Sequence, residues 1–102
     1  MFEQGYFITA ELKVKEQHLV AEAKVALQTL CEKTIAEPGC SLFTLHQCTS
    51  NEQRFLLWER FDDEAAFKQH FEEQHTKDYV ALDLTEVVQY FQTDAVPVVN
   101  SQ

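Results

Sequence analysis

The sequence predicts an α+β sandwich, in which a four-stranded antiparallel sheet carries its helices on one face. Three observations predict it. The apolar period alternates between two and 3.6 residues in the order β-α-β-β-α-β. The stop Glu37-Pro38-Gly39 separates the first helix from the strand that follows it. The stretch Arg54 to Phe61 is apolar along nearly its whole length and predicts a strand covered on both faces.

The first strand runs from Tyr6 to Val14, with Tyr6, Ile8, Ala10, Leu12 and Val14 on one face. From about Gln17 to Ala36 an amphipathic helix presents Leu19, Val20, Ala23, Ala26, Leu27, Leu30, Cys31 and Thr34 as one band. Val25 lies on its polar side, as a surface residue or a subunit contact. Cys40 to Thr49 reads as the second strand, with Phe43 and Leu45 opposite Leu42, Thr44 and His46. A polar turn leads into Arg54–Phe61. Asp62 or Asp63 caps a second helix, which places Ala66, Phe67, His70, Phe71 and Gln74 on one face. A connection from Thr76 to Leu84, irregular or helical, leads to a fourth strand, Val87 to Thr93. The tail from Ala95 is extended, and Pro97 makes it an edge or an arm. The simplest compact solution is the ferredoxin-like fold, as one domain over residues 1–102 with a core of about 6–93 and an arm over 95–102. Such a sheet leaves Phe7, Thr9, Leu42, His46 and alternate residues of the third strand without cover. Packing two sheets face to face would cover them, so a homodimer is expected.

Composition excludes several function classes. The chain has 102 residues and a formal charge of -9, which argues against a nucleic acid or an anionic membrane as partner. With two glycines it cannot build a dinucleotide fingerprint or a Walker loop. No apolar run approaches a membrane span, and the N-terminus has no basic segment followed by an apolar one. Cys31, Cys40 and Cys48 are odd in number and lack C-x-x-C spacing, which fits a reducing cytoplasm. Glu72-x-x-His75 and His46-x-Cys48 are isolated pairs, so no metal is expected and no cofactor is called for.

Four residues carry candidate chemistry. His70 sits in the middle of the second helix's apolar face, either as a hydrogen-bonded core histidine or as a base lining a cleft between helix and sheet. His75 lies five residues on and shares a site with His70 only if the helix ends between them. Glu59 stands in an apolar strand and calls for a partner, either as a buried tether or as a catalytic carboxyl. His46 belongs to the other face of its strand, in the space between sheets.

The turn Glu37-Pro38-Gly39-Cys40, the run Trp58-Glu59-Arg60-Phe61-Asp62-Asp63-Glu64-Ala65-Ala66-Phe67, and the histidines His70 and His75 together resemble the antibiotic biosynthesis monooxygenase (ABM) family. The similarity spans roughly Tyr6 to Val96. It implies a dimeric α+β barrel and a cofactor-independent monooxygenase that oxidises a small phenol- or quinol-like aromatic molecule with dioxygen. His70, His75 and Glu59 would be catalytic, and Tyr6, Trp58, Phe67, Phe71 and Tyr79 would form an aromatic wall. Glu73-Gln74 stands where the family often has Ser-Pro or Thr-Pro, so the second helix is expected to run on past His75. A haem-degrading branch relies on Asn and Trp at positions that correspond here to Leu12 and His70. Two alternatives share the scaffold: isomerisation or breakdown of a signalling molecule, and a non-catalytic binding or stress-response module.

Overall fold

The computed structural model describes residues 4–98. Four strands, β1 (Tyr6–Val14), β2 (Cys40–Gln47), β3 (Arg54–Phe61) and β4 (Thr85–Thr93), form one antiparallel sheet in the order β2-β3-β1-β4. Helices α1 (Val20–Thr34), α2 (Glu64–His70) and α3 (Gln74–Leu82) complete the ferredoxin-like α+β fold. A short 3-10 turn over Gln17–Leu19 occupies the first part of the predicted first helix. Strand β2 ends at Gln47, two residues before the predicted Thr49.

Period-two patterning sets the two faces of the sheet. Ile8, Ala10, Leu12 and Val14 of β1 and Phe55, Leu57, Glu59 and Phe61 of β3 point to the helix side and are buried. Ala23, Leu27 and Leu30 of α1 close the core over them, on the band that the helical period predicts. Strand β3 does not have cover on both faces in a single chain: Leu56 and Trp58 stand on the outer face and are exposed.

Two local devices shape the region above the sheet. Asp63 caps α2, its side chain accepting a hydrogen bond from the Ala66 backbone N–H at 2.8 Å. Gly39 allows the α1–β2 turn to touch α2, because a Cβ there would lie 2.6 Å from the Ala66 Cβ. The turn itself is closed by Cys40 N–H donating to Glu37 O at 3.1 Å.

Two expectations about the C-terminal half change. The second helix does not continue past His75. It ends at His70, and a fresh helix begins at Gln74. Strand β4 begins at Thr85, two residues before the predicted Val87, and its register against β1 shifts between Glu11 and Leu12, so Val88 is bulged. Residues 94–98 have no regular structure and are exposed, and residues 99–102 of the expected arm lie outside the described residues. No helix among the described residues is long and apolar enough to cross a membrane.

Candidate functional site

The break between α2 and α3 brings two histidines to one carboxylate. His70 ends α2 and His75 lies in the first turn of α3. The turn held against α2 by Gly39 delivers Glu37 between them. His70 Nδ1–H donates to Glu37 Oε2 at 2.8 Å, and His75 Nε2–H donates to the same oxygen at 2.6 Å. A carboxylate only accepts, so each of these ring nitrogens is the donor. Thr76 Oγ1 lies 3.2 Å from His70 Nδ1. All three side chains are largely buried. His70 therefore bonds to the α1–β2 turn and shares no hydrogen bond with Glu59 among the described residues.

Glu37, His70 and His75 also have the composition of a metal site, their ligand atoms lying within 4.8 Å of one another. Two donors on one tetrahedral zinc stand about 3.3 Å apart, given bond lengths of about 2.0–2.2 Å. The nitrogen–oxygen distances here are shorter and match N–H to carboxylate hydrogen bonds. The trio is accordingly a hydrogen-bonded set.

Beside it lies an apolar cleft of about 410 Å³ between the helices and the sheet. Ile8, Ala10 and Leu57 form its floor. Phe67 of α2, Phe71 just beyond its end and Tyr79 of α3 form one wall, and Val87 and Tyr90 of β4 the other. His70 and Glu59 both reach into it. With Nδ1 engaged by Glu37, the remaining ring nitrogen of His70, Nε2, has no partner among the described residues. The ring sits among Phe43, Phe61 and Phe71, with centroids 5.1–5.5 Å away. No lysine or arginine lines the cleft.

Glu59 is 6% exposed. It makes no hydrogen bond or ion pair among the described residues, although a buried carboxyl in a strand is expected to have one. Burial in apolar surroundings pushes its carboxyl up to about 8. The thiols of Cys31 and Cys40 nearby are pushed up to about 11, chiefly by burial. Tyr79 is also raised, again chiefly by burial, and its hydroxyl is hydrogen-bonded to Thr85.

The predicted residues thus divide. Phe67, Phe71, Tyr79, His70 and Glu59 meet at the cleft. Tyr6 stacks on Phe67 at 5.3 Å, behind the lining. His75 supports Glu37 and faces a smaller groove between α1 and α3. Trp58, which the resemblance puts in the aromatic wall, does not line the cleft. Strand alternation puts it on the opposite face, 47% exposed and stacked on His46 at 4.3 Å. Glu37 is a site residue that the sequence marks only through its place in the Glu37-Pro38-Gly39-Cys40 turn. A broader depression of about 660 Å³ on the outer side holds His46, Cys48 and the Arg54–Glu11 ion pair, but it contains no buried titratable group.

The sequence model of the antibiotic biosynthesis monooxygenase family matches residues 5–82. The Bacillus subtilis protein YjcS, named as uncharacterized, is 35% identical over 82 residues, which is 80% of this chain and 78% of that protein. A solved structure of protein YjcS superposes with a TM-score of 0.81 at 32% identity, covering 89% of this chain and 98% of that one. A structure named as an antibiotic biosynthesis monooxygenase gives 0.77 at 23% identity, covering 89% and 99%. A Deinococcus radiodurans protein named for the same family gives 0.77 at 18%, covering 94% and 98%. With most of its length matched by the family model and a relative above 30% identity, this chain belongs to the antibiotic biosynthesis monooxygenase family.

Proposed function

We propose that the chain is a cofactor-independent monooxygenase that oxidises a small, uncharged phenol or quinol with dioxygen in the cleft between helices and sheet. One observation carries the reading: an aromatic-lined apolar cleft holds an imidazole whose Nδ1 is tied to a buried carboxylate and whose Nε2 has no partner among the described residues. Glu37 selects the tautomer with the proton on Nδ1, so Nε2 offers a lone pair to an acidic proton in the cavity. Family membership supports the oxidative class.

For a phenol the step balances without a cofactor. His70 Nε2 takes the hydroxyl proton and leaves an electron-rich phenolate. Its para carbon gives electrons to dioxygen and forms a carbon–oxygen bond. When the oxygen–oxygen bond breaks, one oxygen stays as the second carbonyl of a quinone. The other leaves as water with the hydroxyl and ring hydrogens. The substrate supplies every electron, and the protein supplies an apolar cleft, a base and orientation. Breakdown of a phosphorylated signalling molecule fits less well, because Arg54 and Arg60 lie on the other face of the sheet and leave the cleft without a cation.

His70→Leu tests the reading. Leucine suits a position among Phe43, Phe61 and Phe71, and Glu37 keeps His75 as a donor. Oxygen uptake with 1-naphthol and 1,4-dihydroxynaphthalene, per folded molecule, should fall by at least about 100-fold. Uptake equal to that of the parent protein would refute His70 as the base.

We further propose that two chains pack sheet to sheet, each as one domain. The outer face exposes Leu42, Leu56, Trp58 and Phe91 together, a patch of the kind that seeks a partner. The exposed tail, with Val96 and Val98, would reach across that partner. Sedimentation at micromolar concentration should give twice the chain mass of 11.8 kDa, and a single species at the chain mass would sink the idea.

A further inference from the structure

Glu59 is the buried ionisable group for which the hydrogen-bonded trio has no use. Its side chain lies within the sheet's apolar face and opens on the cleft. The titratable groups around it come from every neighbouring element. They are His70 of α2, Tyr79 of α3, Tyr90 of β4, Cys31 of α1 and Cys40 of β2. None is a lysine or an arginine, so no fixed cation rewards a negative charge there. An ionised carboxyl would stand desolvated and unpaired, which is the more expensive of its two states. A neutral carboxyl carries an O–H that the described residues leave without an acceptor, and its oxygens open on the cleft rather than being sealed in the core, so the acceptor is whatever fills the cleft.

We propose that Glu59 acts in the cleft as a neutral carboxylic acid that donates a hydrogen bond to an uncharged oxygen of the ligand, a phenol or quinone oxygen, and that it thereby determines specificity for neutral over anionic aromatics. The ligand class rests on the monooxygenase reading, whereas the protonation state of Glu59 does not. The pair then divides the work. His70 accepts a proton from the ligand, and Glu59 holds another of its oxygens by donation. Burial favours the same state, since it pushes the Glu59 carboxyl up to about 8. An anionic ligand would meet an apolar wall with no countercharge.

Two measurements on the full chain test this. Difference infrared spectra of the ligand-free protein against Glu59→Gln should show the C=O band of a protonated carboxyl at neutral pH, lost as pH rises through about 8. Calorimetric titration with 1,4-naphthoquinone should show binding well below that pH, and binding at least about tenfold weaker well above it. Glu59→Gln keeps a donor that cannot ionise. It should bind the quinone alike at both pH values, with every other titrating group unchanged. Glu59→Leu should bind at least about tenfold more weakly at both. The anionic 1,4-naphthoquinone-2-sulfonate should bind none of the three measurably. An ionised Glu59 at neutral pH overturns the proposal, as does one common pH profile for all three proteins. With the infrared band present, failure of the parent protein to take up the quinone overturns the ligand assignment and the monooxygenase reading with it.

Discussion

Glu59→Gln should raise the stability of the protein at pH 7 by up to about 3 kcal/mol, which is on the order of 10–20 °C in melting temperature for a domain of this size. The unfolded carboxyl titrates near its ordinary value of 4.5 and the folded one near 8. Between those values the unfolded chain has released a proton that the folded chain retains. Stability therefore falls as pH rises, by about 1.36 kcal/mol per pH unit. The contribution is whole below pH 4.5 and fully lost above about 8. The glutamine variant has no such group, so the two melting curves should coincide in acid and separate as pH rises. The amide also lacks a protein acceptor, which trims the gain. Melting temperatures that run parallel from about pH 5 to about pH 9 would contradict the desolvated carboxyl. A gain in stability coupled to altered quinone binding is what a strained functional group predicts.

Glu37→Ala should cost about 3–5 kcal/mol, because it strands two buried imidazole donors at once. His75→Ala should cost less, since Glu37 keeps His70. The double variant should show coupling between positions 37 and 75 of about 1–3 kcal/mol. Urea denaturation of the three variants measures all of this. Additive effects would mean that the shared Oε2 is not what ties α3 to the turn. Glu37→Gln leaves one acceptor oxygen and should fall between the parent and Glu37→Ala.

Much of the fold was legible because local patterning and tertiary structure agree. Strands β1 and β3 have the predicted bounds, and the band on α1 is the buried one. The failures come where long-range contacts decide. Helical period alone carries α2 on through Gln74. In the structure it ends at His70, whose ring bonds to a carboxylate from a turn more than thirty residues earlier, and no local pattern marks that meeting. Glu37 was likewise visible as part of a turn and invisible as a side chain. The resemblance assigns Trp58 to the aromatic wall, whereas strand alternation puts Glu59 and Leu57 inward and Trp58 outward. The bulge at Val88 lies between chain ends about 80 residues apart, so no window on the sequence contains both partners.

Strand β1 pairs on one side with β3 and on the other with β4, the last strand. During synthesis β1 must therefore wait for β4. Until residues 85–93 leave the ribosome, β1 keeps an open row of hydrogen-bonding groups, and the cavity lacks the wall that Val87 and Tyr90 supply. A nascent or truncated chain ending before Thr85 would lack the β4 side of the cleft and would keep an edge ready to pair with a neighbouring copy. Such late closure makes β4 a checkpoint: the cleft cannot bind a ligand before this strand has paired, and losses from a slow or prematurely terminated ribosome should appear as aggregates rather than as folded protein with a weakened site.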